Sequence, residues 1–203
     1  MTSFAVVRNI RRWTKCRKVG HAGTLDPMAT GLLIVCTGKA TRRAGEFVGF
    51  DKTYDAVVEL GRASDTDDAE GIVTQEREVP DWTADELFPV LAEFTGEIEQ
   101  IPPMYSAIKQ GGKRLYTLAR RGIAVEREAR RVRIHEISRA EWNRPRLSFR
   151  VRCTKGTYIR ALARDLGQRL GTGGLLAELR RVEIGPFRVD EAYTLDALKA
   201  LLA

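Results

Sequence analysis

The stretch KVGHAGTLDPMATGLLIVCTGKATRR, residues 18–43, sets a single carboxylate, Asp26, among glycines and other small residues. Pro27 biases Asp26 away from helical geometry, toward an extended or turn conformation. Gly20, Gly23 and Gly31 permit close approach of another backbone or of a ligand. Two readings stand side by side on these residues: a tight turn, for which Asp-Pro is a common pair, or a loop that presents a reactive carboxylate. A second carboxylate group, Asp65, Asp67, Asp68 and Glu70, has the look of a calcium loop. Its glycine, Gly71, comes one position late for an EF-hand and the distal glutamate is missing, so a solvated loop is expected. His135 and the cysteines Cys16, Cys36 and Cys153 show no ligand spacing, and no metal is expected.

The elements that must position these groups are partly legible. Residues 4–15 carry Phe4, Val7, Ile10 and Trp13 at helical spacing with arginines on the remaining face. Residues 31–36, GLLIVC, and 53–60, TYDAVVEL, are strand candidates. Thr83 with Glu86 forms a capping-box pattern ahead of a helix carrying Leu87, Val90, Leu91 and Phe94. In 146–153 Leu147, Phe149, Val151 and Cys153 alternate with Arg146, Ser148, Arg150 and Arg152, the period of a strand buried on one face. Residues 157–170 share the stripe Ile159, Leu162, Ala163, Leu166 and Leu170, with Gly171 as a stop, and a last helix is expected around Leu195–Leu202. Mixed strands and helices predict an α+β class, and no linker or repeat divides residues 1–203 into separate domains.

The 203 residues carry 34 Lys and Arg against 27 Asp and Glu, a formal charge of +7 that favours a polyanionic partner. Arg8, Arg11, Arg12, Lys15, Arg17 and Lys18 crowd one segment; Arg127, Arg130, Arg131 and Arg133 crowd another. No apolar run is long enough to span a bilayer, no secretory signal pattern opens the chain, and the dispersed cysteines suggest reduced thiols, so a cytoplasmic protein is expected.

GHAGTLDPMATGLL resembles the signature loop of TruB-type pseudouridine synthases, whose aspartate corresponds to Asp26. The resemblance extends to KTY at 52–54, GRASDTDDAEG at 61–71, IPPMYSAIKQGGKRLYTLARRGI at 101–123, KGTYIRALARDLG at 155–167 and LRRVEIGPF at 179–187, in the family's order. It implies a single catalytic domain with a mixed, mostly antiparallel sheet. The implied reaction cuts the bond between uridine N1 and ribose C1′, turns the base and rejoins it through C5, without a cofactor. The carboxylate either adds covalently to the sugar or assists a ribose intermediate. Desolvation in a pocket closed around a base disfavours an ionised carboxylate, so a cation must oppose it.

By the same resemblance, Arg160 corresponds to the arginine that pairs with the catalytic aspartate, where the residue type alone would suggest an exposed helix arginine. Tyr54 corresponds to a tyrosine that stacks on the target base and takes part in proton transfer at C5; otherwise it is a half-buried strand residue. His21, Tyr158 and Leu179 correspond to positions that contact RNA or the flipped base. His21 alone reads equally well as a locally hydrogen-bonded histidine, and Tyr158 and Leu179 as ordinary helix and core residues. The implied substrate is the T-loop uridine at tRNA position 55, flipped from its stack, bound through the T-loop and T-stem by a monomer. The rivals are a synthase for another structured RNA, a non-catalytic tRNA binder and a basic DNA-binding domain. Family members begin with a strand and a lysine-proline loop before a Met-Thr-Ser sequence and carry a C-terminal PUA domain. This chain, from Met1-Thr2-Ser3 to Ala203, is expected to lack both.

Overall fold

The computed structural model describes residues 1–123 and 125–202. In order, the first half contains α1 (Ser3–Thr14), β1 (Val19–His21), β2 (Thr30–Gly31), β3 (Val35–Thr37), α2 (Ala44–Gly49), β4 (Lys52–Leu60), β5 (Arg62–Ser64), β6 (Val73–Glu76) and α3 (Ala84–Ala92). There follow β7 (Gly96–Gln100), β8 (Lys109–Gln110), β9 (Lys113–Arg114), α4 (Leu115–Ala119), β10 (Arg130–Asn143) and β11 (Arg146–Cys153). The chain closes with α5 (Ile159–Arg169), β12 (Gly174–Ile184), β13 (Phe187–Arg188) and α6 (Leu195–Leu202). Helices accompany a mixed, mostly antiparallel sheet, which makes the fold α+β as expected. The chain forms two compact units: Met1–Asp55 with Leu179–Ala203, and Ala56–Glu178.

In the first unit, the Thr2 hydroxyl caps α1 by accepting from the Ala5 amide at 3.2 Å. Val7 and Ile10 pack with Val19, and Val6, Trp13, Cys16, Val35 and Leu198 lie around them. Phe4, expected on the buried stripe, is 64% exposed. The inward residue of that first turn is instead Ser3, whose hydroxyl accepts from the Leu25 amide at 2.9 Å, and Phe4 follows about 100° around the helix. β1 pairs antiparallel with β3, Val19 opposite Thr37 and His21 opposite Val35.

The run 31–36 is not one strand. Thr30 and Gly31 pair in parallel with Arg180 and Arg181 of β12, whereas Val35–Thr37 joins β1. The break falls at Gly31, whose φ of 95° is left-handed, and a Cβ there would run into the Arg181 backbone. Phe47 of α2 meets Phe187 edge to face at 5.7 Å.

In the second unit the strand order is β4-β11-β10-β7, with β10 antiparallel to both neighbours. The alternation of β11 is realised: Leu147, Phe149, Val151 and Cys153 are buried. α3 starts on its capping box, the Glu86 carboxylate accepting from the Thr83 amide at 2.7 Å and the Thr83 hydroxyl at 2.9 Å. α5 buries Ile159, Leu162, Ala163 and Leu166 and lays Gly167 on the Gly173–Gly174 backbone, where a Cβ would collide. The Trp142 indole donates to the Trp82 carbonyl at 2.8 Å. No helix among the described residues is long and apolar enough to cross a membrane.

Candidate active site

Asp26 begins a turn: its carbonyl accepts from the Ala29 amide at 3.0 Å, and Pro27 takes the next position. Aspartate and proline suit those places because the aspartate tolerates the turn entry and the ring presets φ. The two readings of the loop are therefore compatible, since Asp26 is a turn residue and also half-buried.

Both ends of this loop are fastened. At its start, Ser3 of α1 bonds Leu25. Behind it stands Arg181 of β12, 1% exposed. Its guanidinium donates from Nε to the Leu32 carbonyl at 2.8 Å, from Nη1 to Thr24 at 3.3 Å and from Nη2 to Gly23 at 3.2 Å. Its own carbonyl accepts from the Leu32 amide at 2.8 Å. In the sequence Arg181 stands out only as half of the doubled arginine of LRRVEIGPF, where strand alternation sends the two neighbours to opposite faces.

His21, at the end of β1, is half-buried, and its Nδ1 is enclosed without a hydrogen-bond partner. Burial, and secondarily the Arg181 guanidinium, lower its pKa against an upward pull from a hydrogen bond with the Gly23 backbone. The imidazole is therefore neutral near neutral pH. Tyr54 of β4 is half-buried, in keeping with a strand tyrosine. Its neighbours are fixed: Lys52 Nζ donates to the carbonyls of Val48 and Phe50 at 2.7 and 2.6 Å, and the Thr53 hydroxyl donates to Glu183 at 2.7 Å. Leu179 of β12 is buried. Asp26, His21, Tyr54 and Leu179 thus all belong to the first unit.

Tyr158 and Arg160 belong to the second unit. Arg160, on the first turn of α5, is 4% exposed, which removes the exposed-arginine alternative. It donates from Nη1 to the Thr66 carbonyl and from Nη2 to the Tyr105 carbonyl, each at 2.9 Å, and lies 3.5 Å from Asp68 Oδ2. Tyr158 precedes α5 rather than lying within it; Gln100 accepts from its amide at 3.1 Å and donates to its carbonyl at 3.2 Å.

The acidic run is not the solvated loop expected of it. Asp65 and Glu70 are exposed, but Asp68 is buried and accepts from the Thr66 hydroxyl at 2.6 Å and the Glu70 amide at 3.1 Å. Asp67 pairs with Arg164 at 2.9 Å. Burial raises the Asp67 pKa, opposed first by Arg164 and then by Arg160. No cluster of metal-ligating residues occurs among the described residues.

A half-buried carboxylate on a fastened turn is equipped for nucleophilic or electrostatic work at an electrophilic centre, with a neutral imidazole five residues before it at the end of β1. A scan against protein families matches residues 11–159 to "TruB family pseudouridylate synthase (N terminal domain)". The chain belongs to the TruB family. Residues 160–203 match the "tRNA pseudouridylate synthase B C-terminal domain". Among TruB-family relatives, a protein of Aromatoleum aromaticum named tRNA pseudouridine synthase B is 53% identical over 205 residues, covering 100% of this chain and 66% of its own. One of Opitutus terrae with the same name is 48% identical over 200 residues, covering 98% and 83%. The chain spans about two thirds of the length of the Aromatoleum aromaticum relative and of similar ones from Francisella philomiragia and Xanthomonas campestris. Among solved structures, a chain of a Cbf5-Nop10-Gar1 complex is 34% identical with a TM-score of 0.76, over 98% of this chain and half of its own. A chain of an H/ACA RNP bound to a substrate RNA containing 2′-deoxyuridine is 31% identical with a TM-score of 0.73, over 98% and 49%.

Proposed function

We propose that this TruB-family chain is a catalytic domain that converts the T-loop uridine of tRNA, position 55, to pseudouridine. The observation that carries the proposal is the fastened Asp26 turn, which holds a half-buried carboxylate in the loop matching the family signature. Asp26 attacks or electrostatically assists at C1′ as the N1–C1′ bond breaks; the base turns and rejoins through C5. Arg160 supplies the positive charge that keeps the carboxylate ionised once RNA excludes water. Tyr54 stacks on the base and serves the proton transfer at C5. His21, Tyr158 and Leu179 contact RNA or the extruded base.

Residues 1–203 act together as one catalytic domain, as a monomer in the cytoplasm, with no cofactor consumed. A net charge of +7 supports a polyanionic substrate. A second reading, a synthase for another structured RNA, draws support from the 31% identity to a chain of an H/ACA RNP bound to substrate RNA. Wild type and Asp26→Asn, incubated with unmodified tRNA, decide the matter when pseudouridine is mapped by chemical derivatisation and reverse-transcription stops. Modification of the T-loop uridine by wild type alone is expected. Modification elsewhere would favour the second reading, and tRNA binding without modification would favour a non-catalytic binder.

A further inference from the structure

We infer that Arg181 is a positioning residue, a clamp whose guanidinium joins the two ends of the Asp26 loop and thereby fixes where the carboxylate stands. The inference rests on the reading of Asp26 as the catalytic carboxylate. Three backbone carbonyls converge on this one side chain: Gly23 and Thr24, three and two residues before Asp26, and Leu32, six after it. The main chain of Arg181 takes the Leu32 amide as well, so one residue grips both polar groups of Leu32. Glycines let the two segments meet: a Cβ at Gly31 would strike the Arg181 backbone, and Gly23, with φ of 94°, takes a left-handed backbone conformation that strains any other residue.

The clamp is chemically costly, which argues against simple packing. Arg181 is 1% exposed, and no carboxylate among the described residues lies within ion-pair distance of it. A buried guanidinium solvated only by carbonyl dipoles is harder to accommodate than an apolar side chain of the same volume. Its planar fork holds several acceptors in fixed directions and at wider separation, which an apolar residue does not do and the compact, rotatable ammonium of a lysine does less rigidly. Such a fork gives a loop lacking regular structure the fixed geometry that a reacting carboxylate requires.

Arg181→Lys and Gly23→Ala test this. The first keeps the charge but loses the fork; the second disturbs the carbonyl that Nη2 holds while leaving Arg181 in place. For Arg181→Lys the single-turnover rate of pseudouridine formation should fall about 10- to 100-fold while tRNA affinity changes less than about threefold. Amides of residues 23–32 should exchange with solvent about tenfold faster, with those of α1 and α2 unaltered. Gly23→Ala should reproduce this pattern. The double variant should lose no more rate than the worse single variant, because both act on one contact. Unchanged exchange in the loop, additive losses, or weakened binding at an undiminished rate would each overturn the clamp. If Arg181→Lys does not fold, Gly23→Ala still gives both readouts. If wild type forms no pseudouridine, the assignment of activity fails, and loop exchange judges the clamp independently.

Discussion

Asp26 stands at the first position of a turn closed from within by the Ala29 amide, and the loop around it is fastened from outside as well. Ser3 and Arg181 provide that fastening. Their partners could not be named beforehand: Ser3 lies 22 positions from Leu25 and Arg181 149 from Leu32, and a hydroxyl or guanidinium in the sequence does not announce which backbone group it will meet. The turn at Asp26 was legible because the Asp-Pro pair restricts its backbone, whereas its reading as a reactive carboxylate came from the family resemblance. At Tyr54 the expected outcome of Tyr54→Phe is retained tRNA affinity with turnover lost; full activity in single-turnover assays would remove the phenol from proton transfer.

His21 gives a pH prediction. Its folded pKa lies below the ordinary 6.5 because of burial and Arg181, so between those two values the unfolded chain holds a proton that the folded chain does not. Stability therefore rises with pH through that window and declines as pH falls below 6.5. In His21→Asn this part of the dependence disappears. Melting temperatures at about pH 7.5 and 5.5 should differ less in the variant than in wild type. Equal differences would show that His21 is not the titrating group.

Among the elements, those with a one-sided period were readable. In β11 the buried Leu147, Phe149, Val151 and Cys153 stand at every second position, and α5 follows its stripe to a stop at Gly171. The run 31–36 misled because apolarity alone does not register a backbone break, and the break at Gly31 depends on β12. The acidic run misled for a related reason: Asp67 and Asp68 are compensated by Arg164 and Arg160, 97 and 92 residues later, so their burial is decided by tertiary partners.

The contact of α5 with the start of β12 is equally specific. With Gly167 laid on the Gly173–Gly174 backbone, Gly167→Ala gains helix propensity yet forces the backbones apart. Overpacking of this kind costs about 1–3 kcal/mol, so the variant should melt several degrees lower despite the better helix former. An unchanged or raised melting temperature would mean that the helix shifts without loss.

For the whole molecule, charge sets the behaviour toward RNA. With +7 overall and exposed arginines on α1, binding should be governed by phosphate contacts and fall steeply with salt. If about six phosphates are neutralised, affinity should drop on the order of a thousandfold between about 50 and 200 mM salt, which a filter-binding titration measures. A flat salt response would assign recognition to uncharged contacts.

The three tryptophans divide between the units: Trp13 packs in the core of the first, while Trp82 and Trp142 share a hydrogen bond in the second. The protein thus carries native optical labels for each half. With Trp13→Phe only the second unit emits; with Trp82 and Trp142 both replaced by phenylalanine only the first does, so fluorescence can follow the melting of each unit separately.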